Sequence, residues 1–137
     1  EEYRESFQSS PLAGGIDEPH GMVAVNAVCA ETDEEAARLR AVAEATYKRM
    51  RRGEVGTRPT VEEAIDELGG VPEPTPATLG AKEWPRAISG SPETISGLLD
   101  QLAERVGADE VMIQHVVGDH EDALRSHELL AEGVGLV

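Results

Sequence analysis

The sequence predicts an α/β fold in which parallel strands are covered by helices. Two apolar, valine-rich runs without breakers, residues 22–30 and 110–117, read as strands buried on both faces. Each run leads into an amphipathic segment that opens with a helix cap. The resulting order of strand, long helix, loop excursion, helix, strand, helix is the alternation typical of parallel sheets. Two such strands are too few for a stable sheet. The 137 residues therefore read as part of a larger α/β architecture, with a third strand drawn from residues 71–88 or from a second chain.

Ahead of the first strand, Glu1-Glu2-Tyr3-Arg4 reads as the last turns of a helix already under way. With no initiator methionine, removal of an upstream segment is expected. Ser9, Ser10, Pro11, Gly14 and Gly15 break regular structure. After the first strand, Thr32 is placed to accept a backbone N–H of the first helical turn. Glu35 completes a capping box, and Asp33 and Glu34 favour the positive helix end. That helix runs to about Arg52. Its apolar stripe is Ala36, Leu39, Ala43, Tyr47 and Met50, and Lys48, Arg49, Arg51 and Arg52 gather at its negative end before Gly53.

Residues 53–88 form an irregular insertion. Thr60 caps a short helix over 61–68 that stops at Gly69-Gly70. Pro72, Pro74, Pro76 and Gly80 hold the following stretch extended. Trp84, just beyond, is expected to anchor this excursion to the body; a stacking platform or a partner contact are its alternatives. Ser89-Gly90-Ser91-Pro92-Glu93 reads as the next helix start, with Ser91 as cap and Pro92 at the first position. Ile95, Leu98, Leu99, Leu102 and Val106 form its buried face, and Gly107 ends it. The second strand follows, then the Gly118-Asp119 turn, then a helix over 120–132 burying Ala123, Leu124 and Leu129.

Acidic residues number 27 against 12 basic ones, a formal charge of −15. The resulting field repels polyanions and argues against non-specific binding to nucleic acid or an anionic membrane. Scarce lysine and abundant carboxylate resemble proteins of salt-loaded cytoplasms, so a halophilic, cytoplasmic protein is expected. No signal-peptide pattern is present, and no apolar run approaches the about 20 residues that span a bilayer. The single cysteine excludes an intrachain disulfide and a multi-cysteine metal site.

Cys29 and His115 are the candidate catalytic residues, because each stands near the carboxyl end of its strand, where α/β proteins place active groups. For both, a packed core role is the alternative. His120 and His127 are seven apart and can share a helix face with His115 nearby, but no compact ligand motif is present and no metal is expected. Gly90-Ser91-Pro92 offers free amides to a phosphate, against which Glu93 weighs. Arg125 is placed to pair with Glu128 or to lock the last helix to the body.

Tyr3-Arg4-Glu5-Ser6-Phe7 with Ser10, then the valine-rich run and Ala30-Glu31-Thr32-Asp33-Glu34-Glu35-Ala36, resembles the carboxyl-terminal part of bacterial luciferase-like flavin-dependent monooxygenases. Gly90-Ser91-Pro92-Glu93, Gly107-Ala108-Asp109-Glu110-Val111, Asp119-His120, Leu124-Arg125-Ser126 and Glu128-Leu129-Leu130-Ala131 continue the pattern in order. The resemblance implies the C-terminal part of a (β/α)8 TIM barrel, the two runs being its seventh and eighth strands and residues 53–88 lying near its mouth. It further implies reduced FMN, or the deazaflavin F420 in related branches, used with dioxygen on a small organic substrate. The loops that hold most of the flavin belong to strands one to six of the family, so no cofactor-binding residue carries over. Asp119-His120 and Arg125-Ser126 match positions that tie the last helix to the barrel. The fragment alone is expected to be inactive and to self-associate or to meet the missing barrel half in another chain, since open sheet edges invite pairing. A non-catalytic α/β interaction or oligomerisation module is the alternative reading.

Overall fold

The computed structural model describes residues 2–10, 15–54, 56–80 and 82–137. The expectations placed on Glu1, Pro11 and Gly14 lie outside the described residues. The elements are α1 (Glu2–Ser6), β1 (Met22–Cys29), α2 (Asp33–Arg51), α3 (Val61–Leu68), β2 (Ala87–Gly90), α4 (Pro92–Val106), β3 (Glu110–Gln114) and α5 (His120–Gly133).

The helix boundaries follow the caps. Thr32 accepts the Glu35 N–H at 3.2 Å, and Thr60 and Glu63 close a reciprocal capping box. Ser91 caps α4 with Pro92 at its first turn, and Asp119 accepts the Glu121 N–H at 2.7 Å to open α5. α4 ends at Gly107, whose φ of 63° lies in the left-handed region that glycine enters without a Cβ penalty.

β1 is the central strand of a parallel sheet with order β2-β1-β3. Met22 to Asn26 of β1 pair in register with Glu110 to Gln114, and Asn26 to Cys29 pair with Ala87 to Gly90. The expected parallel neighbours thus lie side by side, and the third strand comes from residues 87–90. Ser89 and Gly90, read from sequence as the approach to a helix, are strand residues; a four-residue strand ending in glycine carries too little periodicity to be seen.

Alternation along β1 separates two layers. Ala27 and Cys29 join Ile88, Ile95, Leu98, Leu99, Leu129 and Leu130 in a core between the sheet and α4 and α5, with Val25, Val111 and Ile113 packed against it. On the opposite face, Val28 packs with Ala36, Leu39, Val42 and Val61 of α2 and α3. Ile88, Ile95 and Leu98 are fully buried, each contributing about 1.5–3 kcal/mol relative to exposure.

Several expectations are corrected. Met50, Val106 and Leu124, assigned to buried helix faces by periodicity, are exposed, each lying at the margin of its apolar stripe. The strands are not buried on both faces: Met22 is 54% and Met112 52% exposed, because α2 covers only the carboxyl half of that face. β3 stops at Gln114 rather than 117. Val117 leaves the sheet to pack with α2 and α3, and Val116 packs with Ala43 of α2. At the amino end of the sheet, the Asp109 carboxylate accepts from Arg4 and from the Gly21 N–H. These bonds, the backbone one foremost, hold its pKa below the usual range. Trp84 packs onto the α4–α5 core beneath the Arg105 guanidinium, the anchoring role expected of it.

Candidate functional site

The uncovered half of the sheet is the candidate site, and the strand register defines its residues. Ala24 is partnered with Met112, and Asn26 with Gln114. In a parallel pair, register partners project to the same face, so two methionines, an alanine, two amides and, at the amino edge, Glu110 share one surface. Asn26 alone is bonded into both neighbours, at the centre of the sheet. Its Oδ1 is buried and has no hydrogen-bond partner. A buried, unsatisfied acceptor is costly and marks a place where a donor is missing. Neither Asn26 nor Gln114 was singled out from sequence; a polar residue inside a valine run was the available signal.

Cys29 and His115, the sequence candidates, project to the other face. Ser126 of α5 brings them together. The Cys29 N–H donates to Ser126 Oγ at 2.8 Å, and Ser126 Oγ lies 2.9 Å from His115 Nε2. Cys29 is 1% exposed, and burial first, then the Glu31 charge, pushes its thiol pKa up to about 11. His115 lies with its ring centroid 3.8 Å from that of His127. Burial, then the neighbouring His127, lowers its pKa to about 4. At neutral pH the thiol and the His115 imidazole are therefore both neutral, and Ser126 links the imidazole to the Cys29 backbone N–H rather than to the thiol. Among the described residues no three His, Cys, Asp or Glu side chains are arranged to hold a metal.

The amides at Ser91 are already taken. Asp33 Oδ1 accepts the Ser91 N–H at 2.7 Å and Oδ2 accepts the Thr94 hydroxyl at 3.2 Å, so a carboxylate of α2 fills the position considered for a phosphate. The backbone bond is the main cause of the lowered Asp33 pKa. Arg125 does both things expected of it, reaching Glu128 at 3.2 Å and bonding through two nitrogens to Glu31, just beyond β1.

This geometry, an unclosed three-stranded parallel sheet with helical layers and one face open over its amino half, is consistent with part of an α/β barrel. No family model matches the sequence. The chain is 29% identical over 130 residues to the uncharacterised protein YvbT of Bacillus subtilis (strain 168), covering 95% of this chain and 37% of that protein. It is 25% identical over 128 residues to a luciferase-like monooxygenase of Escherichia coli (strain K12), covering 93% and 36%. The crystal structure of apo-MsnO8 superposes with a TM-score of 0.81 at 35% identity, over 98% of this chain and 40% of that one. The chain thus spans 36% to 40% of the length of these larger proteins. It carries a bacterial luciferase-like monooxygenase-family fold, matched over part of that fold. No helix among the described residues is long and apolar enough to cross a membrane.

Proposed function

We propose that this chain is the carboxyl-terminal segment of a flavin-dependent monooxygenase barrel, inactive by itself, that supplies one wall of the flavin and substrate cavity. The observation that carries this reading is the bare sheet face around Asn26, in a fold that aligns with only part of larger relatives. α2 and α3 cover the carboxyl half of that face, so in a closed barrel only its amino half, around Met22, Ala24 and Met112, faces the cavity.

The residues on that face fit a flavin ring rather than its phosphate. Met22, Ala24 and Met112 offer apolar surface, and the orphaned Asn26 Oδ1 is suited to accept a ring N–H. No basic side chain alternates onto this face of β1 or β3, so the phosphate falls to the rest of the barrel. When bound, the reduced flavin, FMN or alternatively F420, supplies the electrons with which dioxygen oxidises an organic substrate. Asn26 and Gln114 orient the ring edge, the methionines exclude water, and the Cys29–Ser126–His115 links hold α5 against the outer side of the same strands.

Anaerobic titration with reduced FMN and F420 tests this. The 137-residue chain is expected to bind neither, and a chain carrying the remaining barrel strands to bind one, more weakly as Asn26→Leu. Failure of the longer chain to bind either flavin overturns the proposal. Light scattering of the 137-residue chain is expected to show self-association through Met22, Met112 and the sheet edges; a monodisperse monomer refutes that part. A defined oligomer, with no flavin binding by the longer chain, favours the oligomerisation module instead.

A further inference from the structure

An open cavity of about 730 Å³ lies between the end of α2, the following loop and α3, with no lining residue from the sheet. It is independent of the face described above and of the flavin reading. Its size suits a small ligand. Five of the twelve basic residues fall between positions 48 and 58, and Arg49, Arg52 and Arg58 line this cavity beside Glu54 and Glu67, so cations outnumber carboxylates here in a chain where acidic residues number 27 against 12.

The helix macrodipole accounts for basic residues in the last turn of α2, but not for Arg58, which stands in the loop beyond it. The three arginines are also not equally engaged. Arg49 bonds through Nε to Glu67 at 2.8 Å and reaches the Thr57 carbonyl at 3.4 Å. Arg58 makes one 3.3 Å bond, to the Val117 carbonyl. The exposed Arg52 side chain has no hydrogen-bond or ion-pair partner among the described residues. Two guanidinium forks therefore keep free donors, the geometry that takes a phosphate or carboxylate through paired bonds. Glu67 adds the complementary group: Oε2 pairs with Arg49, while Oε1 is buried with no hydrogen-bond partner. Met50 and Pro59 supply apolar wall between them.

We infer that this cavity binds a phosphate monoester of a hydroxylated small molecule, with the phosphate on Arg52 and Arg58 and a ligand hydroxyl donating to Glu67 Oε1. A chain of net charge −15 repels anions at long range, so any saturable phosphate binding has to come from a local arrangement of this kind.

The test is NMR titration of the chain with inorganic phosphate and with ribose 5-phosphate, following the arginine Nε–Hε signals and the amides of residues 49–67. Saturable shifts are expected for both, with ribose 5-phosphate the tighter. Arg52→Ala, which removes no bond within the protein, is expected to weaken binding roughly tenfold, consistent with loss of a charge-assisted bond. Arg52→Ala with Arg58→Ala is expected to abolish it. Arg51→Ala removes the same charge from the same helix end outside this cavity and is expected to change binding less than about twofold. Shifts that do not saturate, binding retained by the double variant, or an equal loss in Arg51→Ala overturns the inference. Equal affinity for the two probes refutes the role of Glu67.

Discussion

Ser126 of α5 takes the backbone N–H of Cys29 in β1 at 2.8 Å, a bond between residues 97 apart in sequence. Ser126 is fully buried and its oxygen also meets His115 Nε2. Ser126→Ala leaves a buried backbone donor and an imidazole nitrogen without partners, which costs about 1–3 kcal/mol. The expected outcome is a lower melting temperature with the same far-ultraviolet circular dichroism spectrum. An unchanged melting temperature contradicts the role given to Ser126.

The Cys29 thiol, with its pKa pushed up to about 11, stays protonated at pH 8. Since the thiolate is the reacting species, labelling by a thiol reagent in the native state is expected to be slow and limited by opening of the core, then rapid in denaturant. Fast native labelling at pH 8 is the contrary result.

His115 titrates near 4 in the folded chain against about 6.5 when unfolded. The unfolded state therefore binds more protons between these values, and stability falls as pH drops from 6.5 to 4. The lowered carboxylates Asp33 and Asp109 act below about 3.9, where protonation removes what they contribute, so the two windows separate. His115→Gln is expected to flatten the decline in melting temperature between pH 6.5 and 4.5. A decline as steep as in the parent chain rules out His115 as its source.

Asp33 joins the starts of α2 and α4 through Ser91 and Thr94. Asp33→Ala is expected to cost about 1–2 kcal/mol in denaturant melts at pH 7, and progressively less as pH falls below the unfolded carboxylate range of about 3.9, where protonation removes what the carboxylate contributes. Gly90→Ala strains the same junction, since its Cβ would stand 2.8 Å from Thr94 Cβ and 3.2 Å from Asp33 Oδ1. The two changes share partners, so their costs are expected not to add.

The elements legible in the sequence were those written locally. Thr32, Thr60 and Ser91 fix three helix starts by side-chain bonds to residues three positions on. What remained hidden depends on residues far apart. β2 exists because β1 offers it an edge. The stretch after α3 is held by Arg40, which is 6% exposed on α2 and donates to Thr75 Oγ1 and to the Glu73 carbonyl, while Thr75 Oγ1 accepts the Ser89 N–H at 3.0 Å. Nothing near Arg40 in sequence sets it apart from the half-buried Arg38 two places earlier, which pairs with Glu35 and Glu62 at the surface. The candidate face was invisible for a related reason. Asn26 interrupts a valine run, but only the pairing with Gln114 and Ala87 shows it at the middle of the sheet.

The stagger of β1 has a geometric consequence. β3 runs beside its first five residues and β2 beside its last four, with Asn26 common to both. Along the flank where β2 lies, the ladder is vacant from Met22 to Val25 among the described residues. Another strand can enter that berth end to end with β2 without displacing it.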